Sequence, residues 1–179
     1  QMQEGLKAVV QSGESCCEYD NMDKAFSDTK AKAANGETPV IMIYDDITLK
    51  KPITVESKGA FTIDLNGHTI DRNCCGIMAS DGYVFLLNEG ASLTIEDSSP
   101  DAANYSSGIR GGVITGGAGD DVGGGFQMSK NSKLTMKGGS VSYNHTTNSA
   151  AVNVKYGKAY MYGGSVTPDD PTTPDEPQP

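Results

Sequence analysis

The chain has 179 residues, 36% of them hydrophobic, with 22 Gly, no Trp and a net charge of −9 at pH 7. Asp169, Asp170, Asp175 and Glu176 near the C-terminus supply four of those charges, and no basic patch offsets them, which excludes a nucleic-acid partner. No apolar run approaches the roughly 18–20 residues of a membrane span, so membrane insertion is excluded too.

The first predicted element is a short strand over Leu6 to Val10. Next, residues 20–36 read as one amphipathic helix. Asp20 or Asn21 caps it, Gly36 stops it, and Met22, Ala25, Phe26 and Ala33 form its apolar stripe. Pro39 to Leu49 then leads into a repeated unit. Gln1 is an odd start for a translated chain and points to a processed or trimmed one, with no signal peptide in view.

The repeated unit is an eleven-residue pattern, φ-x-φ-x(5)-φ-x-φ. It occurs at Ile53 to Ile63, Phe85 to Ile95, Phe126 to Met136 and Val152 to Tyr162. Each copy is two short strands of period two around a polar or glycine turn, and each buries one face only. A single copy cannot cover that face, so the copies must stack.

A third strand follows each copy. Gly111-Gly-Val-Ile114, Gly138-Gly-Ser-Val141 and Gly163-Gly-Ser-Val166 mark it, and Asn66-Gly-His-Thr-Ile70 holds the equivalent place in the first copy. The glycines make the turn and the β-branched residue begins the strand. Strand, turn, strand, turn, strand is one coil of a three-faced solenoid. The distance from Phe126 to Val152 is 26 residues and from Gly138 to Gly163 is 25, lengths that fit such a coil. From Ile53 to Phe85 is 32 and from Phe85 to Phe126 is 41. The second excess falls in Glu96 to Arg110, whose Ser, Asp, Asn and Pro content predicts a protruding loop. A β-sandwich is the alternative, but it would not require one spacing four times.

The expected fold class is therefore all-β: a right-handed three-faced parallel β-helix with an N-terminal capping α-helix. The expected division is an N-terminal segment, 1–38, containing the helix, a β-helix over 39–166, and a linker over 167–179. That linker has proline at 168, 171, 174, 177 and 179, which favours an extended spacer. Inward positions are predicted at Phe85, Leu87, Leu93, Ile95, Phe126, Met128, Leu134 and Met136. Tyr160 and Tyr162 align with Leu134 and Met136 and are predicted to point inward as well.

Three segments carry a resemblance. Tyr19 to Phe26, Val40 to Leu49 and Thr62 to Ile70 are similar to the opening of secreted pectate-lyase-like parallel β-helix proteins. Gly111 to Gly117 and Lys133 to Asn144 resemble repeats of surface and adhesin-like proteins of gut Firmicutes and the Gly-Gly-Ala-Ile repeats of polymorphic outer-membrane adhesins. The resemblance spans residues 19 to 166 and implies that fold. It leaves activity open, because the fold hosts lyases, hydrolases and adhesins.

Lyases of this kind use acidic calcium ligands with an Arg or Lys base, and hydrolases use clustered Asp. Here the paired acids are Asp45-Asp46, Asp120-Asp121 in a glycine-rich corner, and Asp169-Asp170. A hydrolase needs carboxylates roughly 5–10 Å apart across the bond, whereas neighbours on a strand point to opposite faces. No third acid, Arg or His falls at the same place in the adjacent copies. Gly116 to Val122 partly matches a calcium nonapeptide, but Gly123 stands where a large apolar residue belongs and there is one copy only. His68 and His145 fall in different corners, without an evident acid partner. Asn104 and Asn144 head glycosylation sequons by pattern.

Cys16-Cys17 and Cys74-Cys75 are two adjacent pairs. Three states stay open: reduced thiols, one or two bridges between the pairs, or a thiolate metal site whose spacing departs from the usual one. Tyr143, Tyr156, Tyr160 and Tyr162 gather near the end of the repeats, as core or as a stacking surface.

The sequence thus leads to a non-catalytic module of a secreted, surface-attached bacterial protein that serves display or adhesion. No catalytic, cofactor or metal residue is assigned. The partners expected are a glycan or host-surface ligand and further modules of the same polypeptide. A fragment of a polysaccharide lyase or glycoside hydrolase is the alternative, and a purely structural stalk is a third reading.

Overall fold

The computed structural model describes residues 5–104, 108–154 and 156–167. The linker from residue 168 onward, and Tyr105 and Ser106 of the first sequon, lie outside the described residues.

The chain opens with β1 (Ala8–Ser12) and β2 (Ser15–Tyr19), an antiparallel hairpin turning at Gly13 with φ +56°. Helix α1 (Met22–Ala34) follows. Asn21 is its N-cap, its side chain accepting from the Lys24 amide at 2.9 Å. At the other end Gly36 takes φ +83°. The Gly36 amide donates to Ala33 O and the Glu37 amide to Lys32 O, closing a Schellman turn.

Beyond the helix come β3 (Val40–Ile43), β4 (Ile47–Thr48), β5 (Ile53–Val55), β6 (Ala60–Asp64), β7 (Thr69–Asp71), β8 (Phe85–Leu87) and β9 (Ser92–Glu96). They are followed by β10 (Val113–Thr115), β11 (Ala118–Asp120), β12 (Phe126–Met128), β13 (Lys133–Met136), β14 (Ser140–Val141) and β15 (His145–Thr147). The last three are β16 (Val152–Asn153), β17 (Lys158–Met161) and β18 (Ser165–Val166). The strand order is β17-β13-β9-β6-β3-β1-β2 in a seven-stranded sheet, β18-β14-β10-β7-β4 in a five-stranded one, β16-β12-β8-β5 in a four-stranded one, and β11-β15 in a pair.

Within 53–166 successive copies pair in parallel and in register. Ile53, Phe85, Phe126 and Val152 form one column, and Ile63, Ile95, Met136 and Met161 another. Ile70, Ile114, Val141 and Val166 form a third, on the strands that follow the glycine turns. All eight residues predicted to point inward are buried, none more than 1% exposed. Phe85 and Phe126 stack at 5.0 Å between ring centroids, 9° from parallel.

The expected fold class is corrected. The described residues form a mixed α/β fold rather than an all-β three-faced solenoid. The seven-stranded sheet is mixed, because β1 runs antiparallel to both β2 and β3. The pair β11-β15 is a fourth sheet. Helix α1 packs on β1, β3 and β6 and sends Ala25 and Ala33 into the same apolar cluster as the strands. The repeat describes only the chain from Ile53 onward. The hairpin before it and the fourth sheet in the glycine corner obey no eleven-residue period, so extending that period to the whole chain misassigns both.

Two further expectations change. The loop after Glu96 does not simply protrude. Asp97 accepts from the Gly67 amide (2.8 Å) through one oxygen and from the Gly112 amide (2.7 Å) through the other, tying both ends of the insertion to one turn. Asn104 is buried against the five-stranded sheet and donates to Thr69 Oγ1 at 2.8 Å. The fourth copy is also shifted by one residue. Leu134 pairs with Ala159 and Met136 with Met161, so Tyr160 and Tyr162 point outward, 39% and 75% exposed. The turn at Gly157 is one residue shorter than its predecessors, and a slip of one exchanges the faces of a strand.

A candidate binding groove at the helix N-terminus

The five-stranded sheet ends at β4 and the four-stranded sheet ends at β5. The hairpin continues only the seven-stranded sheet, and α1 lies over β1, β3 and β6. Between the first turns of the helix and the β4–β5 segment a groove of about 1050 Å³ stays open. Its floor is apolar, from Met22, Phe26, Ile47, Leu49, Pro52 and Ile53. Its rim carries both charges, from Asp20, Asp23, Asp45 and Asp46 and from Lys7, Lys30, Lys50 and Lys51.

Helical spacing puts Met22 and Phe26 on one face, one turn apart, half-buried and directed at the strands. Pro52, with no amide hydrogen, enters the groove just before β5.

Part of the rim is already engaged. Lys7 Nζ pairs with Asp45 Oδ2, and this bond, with the Asp46 amide donating to Asp45 Oδ1 as well, holds the Asp45 carboxyl below the usual carboxylate range. Asp46 Oδ1 accepts from the Thr69 amide at 2.9 Å and lies 3.1 Å from His68 Nδ1. Lys30, Lys50 and Lys51, in contrast, make no ion pair among the described residues. The groove therefore carries a fixed Lys–Asp pair and three lysines that make no ion pair among the described residues, over a floor with one aromatic ring.

The other acidic pair, Asp120-Asp121, lies far from this arrangement in chain and in sheet. Asp120 accepts from Thr147 Oγ1 at 2.8 Å, and Asp121 has φ +59° with its amide bonded to Thr147 O at 3.1 Å. Both are exposed, at the end of β11. The Gly116 to Val122 segment is thus strand and turn, held by backbone bonds. Close main-chain approach explains its glycines: a Cβ on Gly117 would lie 1.7 Å from Gly124 O.

His145 sits on β15 beside Ala118, away from His68. Cys16, Cys17, Cys74 and Cys75 are all free thiols, Cys16 and Cys17 on the edge strand β2 and Cys74-Cys75 in a turn where Cys75 has φ +53°. Among the described residues no three His, Cys, Asp or Glu side chains converge as metal ligands.

The His68–Asp46 contact and the groove itself escape a reading of the sequence. Aligning Ile47 with Ile70, as β4 and β7 pair, would have set Asp46 opposite Thr69 and next to His68. The groove has no such signal, because it depends on where α1 stops covering the sheets.

Comparison of the chain with family models, with curated proteins and with solved structures finds no match in any of the three. The likeness to surface-protein repeats accordingly rests on the quoted motifs alone.

Proposed function

We propose that the chain is a non-catalytic binding module of a secreted bacterial surface protein, and that the groove beside the α1 N-terminus holds a glycan of the surface it adheres to. The observation that carries this reading is the composition of the groove. One aromatic ring, Phe26, offers a sugar face a stacking partner, and Asn21, Ser27, Thr48 and the unpaired Lys30, Lys50 and Lys51 offer hydroxyl- and carboxylate-bonding groups around it.

The acids point away from hydrolysis. A general acid needs its pKa raised, and Asp45 is shifted the other way by Lys7. Asp46 is taken up by the Thr69 amide and His68, and Asp120 by Thr147.

A glycan array probed with the purified chain tests the proposal. Binding should be seen, favour sugars bearing carboxylates, and weaken in a Lys50→Ala/Lys51→Ala variant while persisting in Asp120→Ala. An absorbance assay for unsaturated products and a reducing-end assay should both stay flat on polygalacturonate, with and without calcium. Turnover that Asp120→Ala or Asp121→Ala abolishes would overturn the reading in favour of a carbohydrate-active enzyme.

A further inference from the structure

The outer face of the seven-stranded sheet carries a line of uncharged side chains. Thr62, Thr94 and Thr135 are direct partners on β6, β9 and β13, and Tyr160 continues the line on β17. Each threonine sits between two buried residues and points away from the core, and Tyr160 shares that side. Helix α1 lies on the opposite side, in one cluster with Ala8, Val10, Ile41 and Ile43. Several other threonine hydroxyls are bonded: Thr29 Oγ1 donates to Ala25 O, Thr146 Oγ1 to Val122 O and Thr147 Oγ1 to Asp120 Oδ1. Those of the half-buried Thr62, Thr94 and Thr135 make no hydrogen bond among the described residues. Beside this line two lysines face each other. Lys133 on β13 and Lys158 on β17 are direct partners, both exposed, and neither makes an ion pair among the described residues. Like charges directly opposite one another weaken a strand pair. The fold gains nothing from this pair, and a bound anion would relieve it.

We infer that this face binds a linear glycan of β-1,4-linked uronate sugars, laid across the strands along the threonine line. Neighbouring strands lie about 4.8 Å apart, close to the length of one extended pyranose. Successive sugars therefore meet equivalent hydroxyls on successive strands, which only a ligand with a regular repeat can use. Charge and chemistry select this occupant. The lysine pair calls for a negative ligand and the open hydroxyls for a hydrogen-bonding one. The Tyr160 ring, 39% exposed at the end of the line, offers a sugar face a stacking surface. A protein partner would need an apolar centre to bury, and this line has hydroxyls there. The face shares no residue with the groove beside α1, so the inference goes beyond the groove and does not rest on it.

Isothermal titration of the full chain with β-1,4-linked oligomannuronates of two, four and six sugars tests the inference. Thr94→Val/Thr135→Val removes two hydroxyls and keeps the β-branched shape. Lys158→Glu turns the like-charged pair into an opposite one. Neither should weaken the fold, and a thermal melt checks that. The tetramer should bind more tightly than the dimer, and each variant should raise the dissociation constant of the hexamer about tenfold. Binding at this face should persist in the groove variant Lys50→Ala/Lys51→Ala, and both face variants are titrated in that background too, so that the groove does not mask them. A wild-type chain that binds no hexamer overturns the inference, and so does binding that both folded face variants leave intact. In the second case, loss in Lys50→Ala/Lys51→Ala alone assigns the ligand to the groove, and the groove reading stands while this one does not.

Discussion

Met136 and Met161 stand in one column, one layer apart, on strands that pair residue for residue. Met136 is fully buried and Met161 is half exposed. The same contrast holds between Val141 and Val166. In a stacked architecture, inward direction is a property of the strand, but burial is conferred by the neighbour above. The interior layers carry the stability, and the last layer carries apolar surface for which the fold itself has no use.

That contrast is most sharply broken at Phe126, whose ring stacks on Phe85 in the fully buried column. Phe126→Ala should cost about 3–5 kcal/mol, since the surrounding layers cannot collapse into the space left. Denaturant unfolding measures it, and a loss under about 1 kcal/mol would mean that the column is not close-packed.

Substituting the two methionines in turn makes the comparison directly. Met136→Ala should cost about 2–5 kcal/mol. Met161→Ala should stay within about 0.5 kcal/mol when measured on the monomer, as an exposed substitution does. Equal losses would show that the last layer is covered in solution at the concentration used. A loss at Met161 that grows with protein concentration would identify the cover as a second copy.

How much of this could be read beforehand follows from the same layers. The inward set from Leu93 to Met136 was legible because polar residues such as Thr94, Gln127 and Thr135 separate the apolar ones, and the all-apolar Phe85-Leu86-Leu87 takes its register from alignment with Phe126-Gln127-Met128. In the fourth copy Ala159, Tyr160, Met161 and Tyr162 are consecutive and all non-charged. Alternation there has two solutions, and main-chain pairing with β13 decides for Ala159 and Met161. The helix bounds were legible because Asn21 and Gly36 are cap residues with local roles. The antiparallel hairpin was half legible: Leu6 to Val10 read as a strand, whereas its partner Ser15–Tyr19 is polar and its cysteines drew attention to metals and bridges instead. The groove was not legible, because no local pattern records which sheet edges a helix leaves uncovered.

The closed end can be tested as well as the open one. Asn21 caps α1 through a bond to the Lys24 amide. Asn21→Ala should lower stability by about 1 kcal/mol, less than any interior deletion and more than Met161→Ala. A thermal melt suffices to rank the three, and a different order would mean that α1 is not coupled to the strands it packs on.

A further small effect, and the one that depends on pH, lies where β2 meets the helix. The Tyr19 hydroxyl donates to Asp28 Oδ2 at 2.6 Å, and Lys32 Nζ donates to the other oxygen at 2.8 Å. Asp28 is thereby held below the usual carboxylate range, chiefly by Lys32 and then by Tyr19. Tyr19 is pushed up to about 12, chiefly by its bond to Asp28 and then by burial. The signs differ at the two ends of the pH scale. A raised tyrosine contributes stability that is full below the unfolded value near 10 and is lost as pH climbs through the folded value. A depressed aspartate contributes stability that is full above about 4 and is lost as pH falls through its folded value. Tyr19→Phe should therefore cost under about 1 kcal/mol between roughly pH 5 and 9. The gap to the wild-type chain should narrow above pH 10, as Tyr19 ionises, and narrow again in acid, as Asp28 is protonated. Urea midpoints of the two proteins across that range measure the gap. One that stays constant from neutral pH to beyond 11 would show that the phenol and Asp28 are not bonded in solution, and would leave β2 tied to α1 by packing alone.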